Sequence, residues 1–470
     1  MNYEPAAETR SYHRQVIESL AIDKIAELRQ ENAHLRSELD KIQDRLCASG
    51  AVTACPVRAF DAFKLPFWKK ISSNFKAVPE RIARRLDFLA SRFRQPPPVL
   101  VVSDHLPLHD QQSGGLRQKT IIEILGELGF PVLFSCSLTK DRLPGILCTD
   151  EGRMRYEDGL RGAGVVEFAY GLEEIDACLQ RHGQFIQRAL IALPHVATDL
   201  MPLVRLRAPQ ASIFYDMVDF HALRLLREAE VTQDPLKRDE ALAMEATELD
   251  LARNADMVIT ISDAEKNLLL EKVPEAVVET IPNIFRKPKA ITPGPHGRKD
   301  ILFLAGFWHK PNGDGAIWFV NEIWPKIRAL EPAARFVIAG AHIDSRIEDL
   351  GQTPGVKILG YVNDLESLFN TCRVFVAPLR YGAGMKGKVG HSLVYGLPLV
   401  STQIGAEGIP MEPGHDFLLA ETPDGFALSV VQLLRDDDLW IDFQRRGQAL
   451  IATNFSTETI SKQIASLFNV

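Results

Sequence analysis

The stretch Ala377–Ile409, APLRYGAGMKGKVGHSLVYGLPLVSTQIGAEGI, decides how this chain is read. It leaves an apolar run, Val374-Phe375-Val376, that has the composition of a buried parallel strand. It enters a loop holding Gly382, Gly384 and Gly387 among Arg380, Lys386 and Lys388. A helix-like run follows, then a second short apolar run, Pro398-Leu399-Val400. Strand, basic glycine loop, helix and strand suit a phosphate: glycines admit backbone N–H groups, the helix start adds partial positive charge, and the cations add full charge. The loop falls at the carboxyl end of a strand, where open α/β sheets hold ligands.

Read as R-x-G-A-G-x-K-x-K, then G-x-P-L-V-x-T and A-E-G, the segment resembles the donor-site segment of family 4 glycosyltransferases of the GT-B fold. Three more segments carry the resemblance in the expected order: Asp110–Arg117 (DQQSGGLR), Tyr215–His221 (YDMVDFH) and Gly306–Asn312 (GFWHKPN). The resemblance covers roughly residues 99 to 470 and is to the bacterial polysaccharide type. It implies two doubly wound parallel-sheet (Rossmann-like) α/β domains facing a cleft. It also implies metal-independent, retaining transfer of a sugar from a UDP- or GDP-linked donor, with no cofactor, to a glycan or lipid-linked acceptor.

The remaining composition fits. A 470-residue chain exceeds one core, and 46% hydrophobic with 24% charged residues is ordinary for a globular protein. A net charge of −7 argues against a nucleic-acid partner. The six cysteines form no C-x-x-C pair, so neither a metal site nor a redox motif is expected. With no signal-peptide pattern and no apolar run of about 20 residues, a cytoplasmic location is expected, with the inner membrane face open as a surface.

Residues 1–50 are expected to hold a coiled-coil helix: Ala21, Ile25, Leu28, Leu35, Leu39, Ile42 and Leu46 alternate a and d positions, with Asn32 at a polar a site. That pattern, over residues 14–47, favours a parallel homodimer; a lone helix packed on the body is the competing reading. Residues 51–98 interleave aromatics with lysine and arginine, then place Ile82, Leu86, Leu89 and Phe93 on one face. Such a segment suits an anionic membrane surface or a packed surface helix. Residues 99–286 read as the first domain and 300–470 as the second, with the last helix, from about Thr457, crossing back as in the enzymes resembled. The segment Lys140–Gly164 shows no pattern that places it.

Candidate site residues follow from charge and position. Lys386, Arg380 and Lys388 would meet a departing diphosphate, with Gly382 and Gly384 giving backbone access. Gly114 and Gly115 turn the chain after the first strand, and Arg117 would open the next helix. His221 beside Asp219 and Asp216 can position or deprotonate an acceptor, whereas a capping role is the alternative for the aspartates. His309 and Asn312 would face the donor. Many family members carry two glutamates with seven residues between them here; this chain has Ala383 and His391 instead, leaving Glu407 as the nearest carboxylate. That departure keeps a second reading open: a catalytically weak nucleotide-sugar-binding partner subunit.

Overall fold

The computed structural model describes residues 96–286, 288 and 292–468. The expectations for residues 1–50 and 51–95, namely coiled coil, homodimer and membrane-facing segment, lie outside the described residues. Two all-parallel sheets organise the rest. The first runs in the order β3-β2-β1-β4-β5-β6-β7. Its strands are β1 (Val99–Ser103), β2 (Val132–Cys136), β3 (Val165–Tyr170), β4 (Arg188–Ala192), β5 (Ser212–Asp216), β6 (Met257–Thr260) and β7 (Val278–Thr280). The second runs in the order β10-β9-β8-β11-β12-β13. Its strands are β8 (Asp300–Leu304), β9 (Arg335–Ala339), β10 (Val356–Gly360), β11 (Cys372–Ala377), β12 (Leu399–Ser401) and β13 (Leu418–Leu419). β1, β2 and β11 are buried along their whole length, because helices cover both faces of each sheet.

In each sheet the strand order reverses beside the first strand, between β1 and β4 and between β8 and β11. Loops leaving the strands on either side of such a reversal diverge and open a crevice. In the first domain this brings forward helix α1 (Ser113–Glu127), helix α2 (His221–Thr232), α3 (Pro235–Asn254) and α4 (Asp263–Lys272). In the second it presents α5 (Lys310–Trp318), preceded by Gly306–His309, and α6 (Gly387–Val394), preceded by the glycine loop.

Helix α1 opens at Ser113, earlier than the sequence reading, so Gly114 and Gly115 form its first turn instead of a free loop. A Cβ on Gly115 would sit 2.8 Å from the Leu108 backbone, so close packing demands the glycine. The unplaced segment holds two short 3-10 turns and a helix, Asp150–Gly162, which Thr149 caps by accepting from Gly152 N. The last helix, α7 (Thr457–Leu467), packs into the first domain: Ile460, Ile464 and Phe468 join its core, and Phe468 meets Phe130 and Phe214 edge-on at 5.5 and 5.7 Å. Each such side chain contributes roughly 1.5–3 kcal/mol on burial, which anchors the tail of the second domain on the first. Among the described residues no helix is long and apolar enough to cross a membrane.

Candidate active site between the two sheets

Two loops meet at the crevice. The first, Asp216–His221, follows β5 and is held by buried carboxylates. Glu248, on α3 and fully buried, accepts from the backbone N–H of His221 and of Ala222, both at 2.9 Å. It thereby caps α2 from a distance, since Phe220 at the cap position has no capping side chain. Glu265, on α4 and 5% exposed, accepts from Phe220 N at 3.0 Å through Oε1, while its Oε2 has no partner. Val218 takes φ +66°, a strained setting for a β-branched residue, and lies beside the position a Cβ of Gly114 would occupy.

Asp219 and His221 are brought together. His221 Nδ1 lies 3.0 Å from Asp219 O, 3.2 Å from Asp219 Oδ1 and 3.4 Å from Glu248 Oε1. Burial alone would lower the imidazole, but Asp219 and Glu248 outweigh it and raise its pKa. For Asp219 burial works upward; His221 and Arg224 prevail and bring it to about 2. Arg224 Nε donates to Asp219 Oδ2 at 3.1 Å. Held between two carboxylates, the imidazole is oriented by its Nδ1, which suits the positioning or deprotonating role expected for it.

Arg117 and Asp216 depart from expectation. Arg117 is 2% exposed; its Nη1 donates to Asp216 Oδ2 at 2.6 Å and its Nε to Ile281 O at 2.9 Å. The opening of α1 at Ser113 moves Arg117 past the first turn and into the domain interior, so it braces β5 instead of facing a donor.

The second loop comes from β11. Gly382 (φ +146°) and Gly384 (φ +71°) adopt backbone angles that other residues rarely take. Four successive carbonyls are held: Gly382 O by Arg227 Nη1 at 2.6 Å, Ala383 O and Gly384 O by Lys386 Nζ at 3.0 and 2.6 Å, Met385 O by Asn283 Nδ2 at 3.3 Å. All peptides are trans, so each following N–H, of Ala383 through Lys386, points opposite to a held carbonyl. Those four N–H groups have no partner among the described residues. A run of free amides ahead of a helix start is backbone of the kind that can take an anion. The loops touch: a Cβ on Gly384 would stand 2.9 Å from Asp219 Cβ, and one on Gly387 would stand 2.3 Å from Ser113 Oγ, so the starts of α6 and α1 approach each other.

The other predicted residues fall around this junction. Lys386 is 8% exposed; burial lowers its pKa, with Glu407 and Glu265 pulling the other way. Its ammonium serves the loop's own carbonyls. Lys388 donates to Asn312 Oδ1, lies 4.7 Å over the Phe303 ring, and is lowered to about 7 by burial and by Lys386. Asn312 Nδ2 in turn donates to Gly306 O at 2.8 Å, tying α5 to its own loop. His309 is kept neutral, at about 3, by burial and by Arg224. Arg380 forks onto Asp314 and stays exposed. His391 stands edge-on to Phe285 at 5.3 Å, and burial lowers it to about 4, so it touches the interdomain segment. Glu407 is held below the usual carboxylate range, since Arg227 and Lys386 outweigh the effect of burial. Sequence reasoning missed Arg227, Glu265 and Asn283; none sits in a glycine motif, and only long-range contacts reveal them.

Metal-ligand chemistry gathers elsewhere, at Glu167 on β3 with Cys178 and His182, whose ligand atoms lie within 4.8 Å of one another. Glu167 there is already held by Arg181 and by His182 Nε2 at 2.9 Å.

Two switch-point sheets opposed across a crevice, with a tail helix crossing back, define the GT-B architecture. Sucrose-phosphate synthase from Thermosynechococcus elongatus shares the fold (TM-score 0.62, 17% identity, 80% of this chain and 98% of that one). So does Anabaena Alr3699/HepE in complex with UDP and glucose (0.58, 16%, 79% and 99%). So does a glycosyltransferase from Rickettsia africae ESF-5 (0.58, 12%, 80% and 98%). Residues 298–436 match the family Glycosyl transferases group 1. The chain thus has the GT-B fold, and its second domain matches a glycosyltransferase family model. It is also 21% identical over 173 residues to an uncharacterized 44.6 kDa protein in the cps region of Klebsiella pneumoniae, spanning 45% of that relative's length.

Proposed function

We propose that the chain is a retaining, metal-independent glycosyltransferase that moves a sugar from a UDP- or GDP-linked donor to a glycan or lipid-linked acceptor in surface polysaccharide or glycolipid synthesis. The observation that carries this reading is the nest of free amides at 383–386, at the start of α6 and at the strand-order reversal of the second sheet. It offers stabilisation where charge develops on a departing diphosphate. Asp219 and His221, opposite it on the first domain, would position the acceptor hydroxyl, and His309, kept neutral, adds a donor or acceptor without another charge. A nucleotide-sugar-binding partner subunit is the second reading; His391, in place of the family's glutamate, favours it.

The test is a panel of UDP- and GDP-sugars with the full chain, product configuration read by NMR, with and without EDTA. Transfer with the donor's configuration kept and EDTA tolerated is expected. Inversion, or activity lost to EDTA and restored by Mg²⁺, overturns the mechanism; tight nucleotide binding without turnover on the whole panel favours the partner subunit. Lys386→Ala should weaken nucleoside-diphosphate binding by roughly 1–3 kcal/mol.

A further inference from the structure

Arg227 lies on α2 in the first domain, yet both ends of its guanidinium are engaged by the second. Nη1 donates to Gly382 O at 2.6 Å and to Glu407 Oε2 at 2.7 Å; Nη2 donates to Glu407 Oε1 at 2.8 Å. Glu407 Oε2 also lies 3.6 Å from Lys386 Nζ, the ammonium that holds the next two carbonyls. One carboxylate is thus shared by two cations, and between them those cations orient three successive peptides. A fork-to-fork pair of this kind is directional and strong, and a lysine could not reproduce it.

Without Arg227 two things change together. Gly382 O loses its donor, and Glu407 keeps only one cation. Lys386, already within 3.6 Å of Glu407, is then drawn to it and away from Ala383 O and Gly384 O. Glycines at positive φ present little barrier to those peptides turning. The N–H groups then lose the orientation that the held carbonyls give them.

We propose that Arg227 is a positioning residue that makes the anion nest depend on domain apposition: the loop at 382–386 is set to take a diphosphate only while α2 of the first domain is docked against Glu407. This rests on the reading of the nest as the diphosphate site. Arg227's own polar contacts are to Gly382 O and Glu407. The same contact explains why Glu407, the carboxylate nearest the glycine loop, makes its polar contacts with Arg227 and Lys386: its charge balances the two residues that hold the loop.

The experiment uses the full chain carrying Arg227→Met or Arg227→Lys. Hydrogen exchange is followed in peptides covering the loop and the first turn of α6, 381–391, where Val389 and Gly390 N–H donate to Lys386 O, with the β11 peptide 372–377 as internal control. Both variants should speed exchange of those two amides and leave β11 unchanged. Binding of UDP and GDP, by calorimetry, should weaken about tenfold in Arg227→Met, the scale of a lost charge-assisted pair. Binding of uridine and guanosine, by ligand-observed NMR, should stay at the wild-type level. Unchanged exchange of those two amides overturns the proposal, and so does an equal loss for nucleoside and nucleoside diphosphate, which would mark Arg227 as a general structural contact. If the wild-type chain binds neither diphosphate, the proposed function fails, and the exchange comparison by itself decides the role of Arg227.

Discussion

The two loops that meet at the crevice are built by opposite means. Asp216–His221 is fixed by side chains: Glu248 and Glu265 accept its N–H groups, Arg117 pins Asp216, and Arg224 pins Asp219. Gly382–Lys386 is fixed through its carbonyls, which cations and an amide hold while its N–H groups stay free. One loop spends its backbone donors on the protein and offers side chains. The other spends its acceptors and offers backbone. A transferase needs both, since an acceptor hydroxyl is handled by directional side chains and a diphosphate by many donors at once.

The largest expected effect breaks the first loop at its base. Arg117→Met leaves Asp216 buried without its cation and should cost about 3–5 kcal/mol of stability. Chemical denaturation measures it. In a folded Arg117→Lys protein, nucleoside-diphosphate affinity should be unchanged; a marked loss there would put Arg117 in the donor site after all and erase the division between the loops.

A second prediction sharpens the comparison through pH. Burial and the neighbouring Asp219 push Glu265 up to about 7, above the usual 4.5. A raised carboxyl stabilises the fold below the unfolded value and loses that contribution as pH rises through the folded one. Glu265→Gln should therefore gain stability relative to wild type between pH 5 and 8, by at most about 2–3 kcal/mol at the upper end. Its Oε1 can still accept from Phe220 N. Thermal melts across that range decide it; a difference independent of pH would show that Glu265 is ionised in the folded chain.

The sequence was most legible where one local pattern carries the chemistry. Buried parallel strands such as VLVVS and VFVA announce themselves by continuous apolar runs, and the glycine loop by its composition. β3 is harder to read because, at the sheet edge, VVEFAY exposes Val166 and carries Glu167. β7, at the other edge, is three residues long. In the site, the motif residues were found, but their tasks were not. Nothing local to Lys386 says that it bonds Ala383 O and Gly384 O, and nothing near Arg117 says that Asp216, 99 positions on, will claim it. Arg227 and Asn283 act across the domain junction, and Glu265 across 45 positions of the first domain, at separations that periodicity cannot see.

The smallest expected effect concerns the one basic residue of the glycine loop that stays at the surface. Arg380 forks onto Asp314 of α5, and its Nε stands 2.8 Å from Asp314 Oδ2. An exposed pair is screened by water and salt, so Arg380→Ala should shift stability by at most about 0.5 kcal/mol, less at high ionic strength. Its effect on ligand binding follows from the same pairing. Asp314 already neutralises the guanidinium, and the nest is held by Arg227, Lys386 and Asn283 without it. Nucleoside-diphosphate affinity by calorimetry at low and high salt should therefore stay within about twofold of wild type, because the loss of an already compensated surface charge is a small change in field. A loss near tenfold, removed by salt, would mean that Arg380 leaves Asp314 when the anion arrives, and that the second loop, like the first, offers a side chain as well as its backbone.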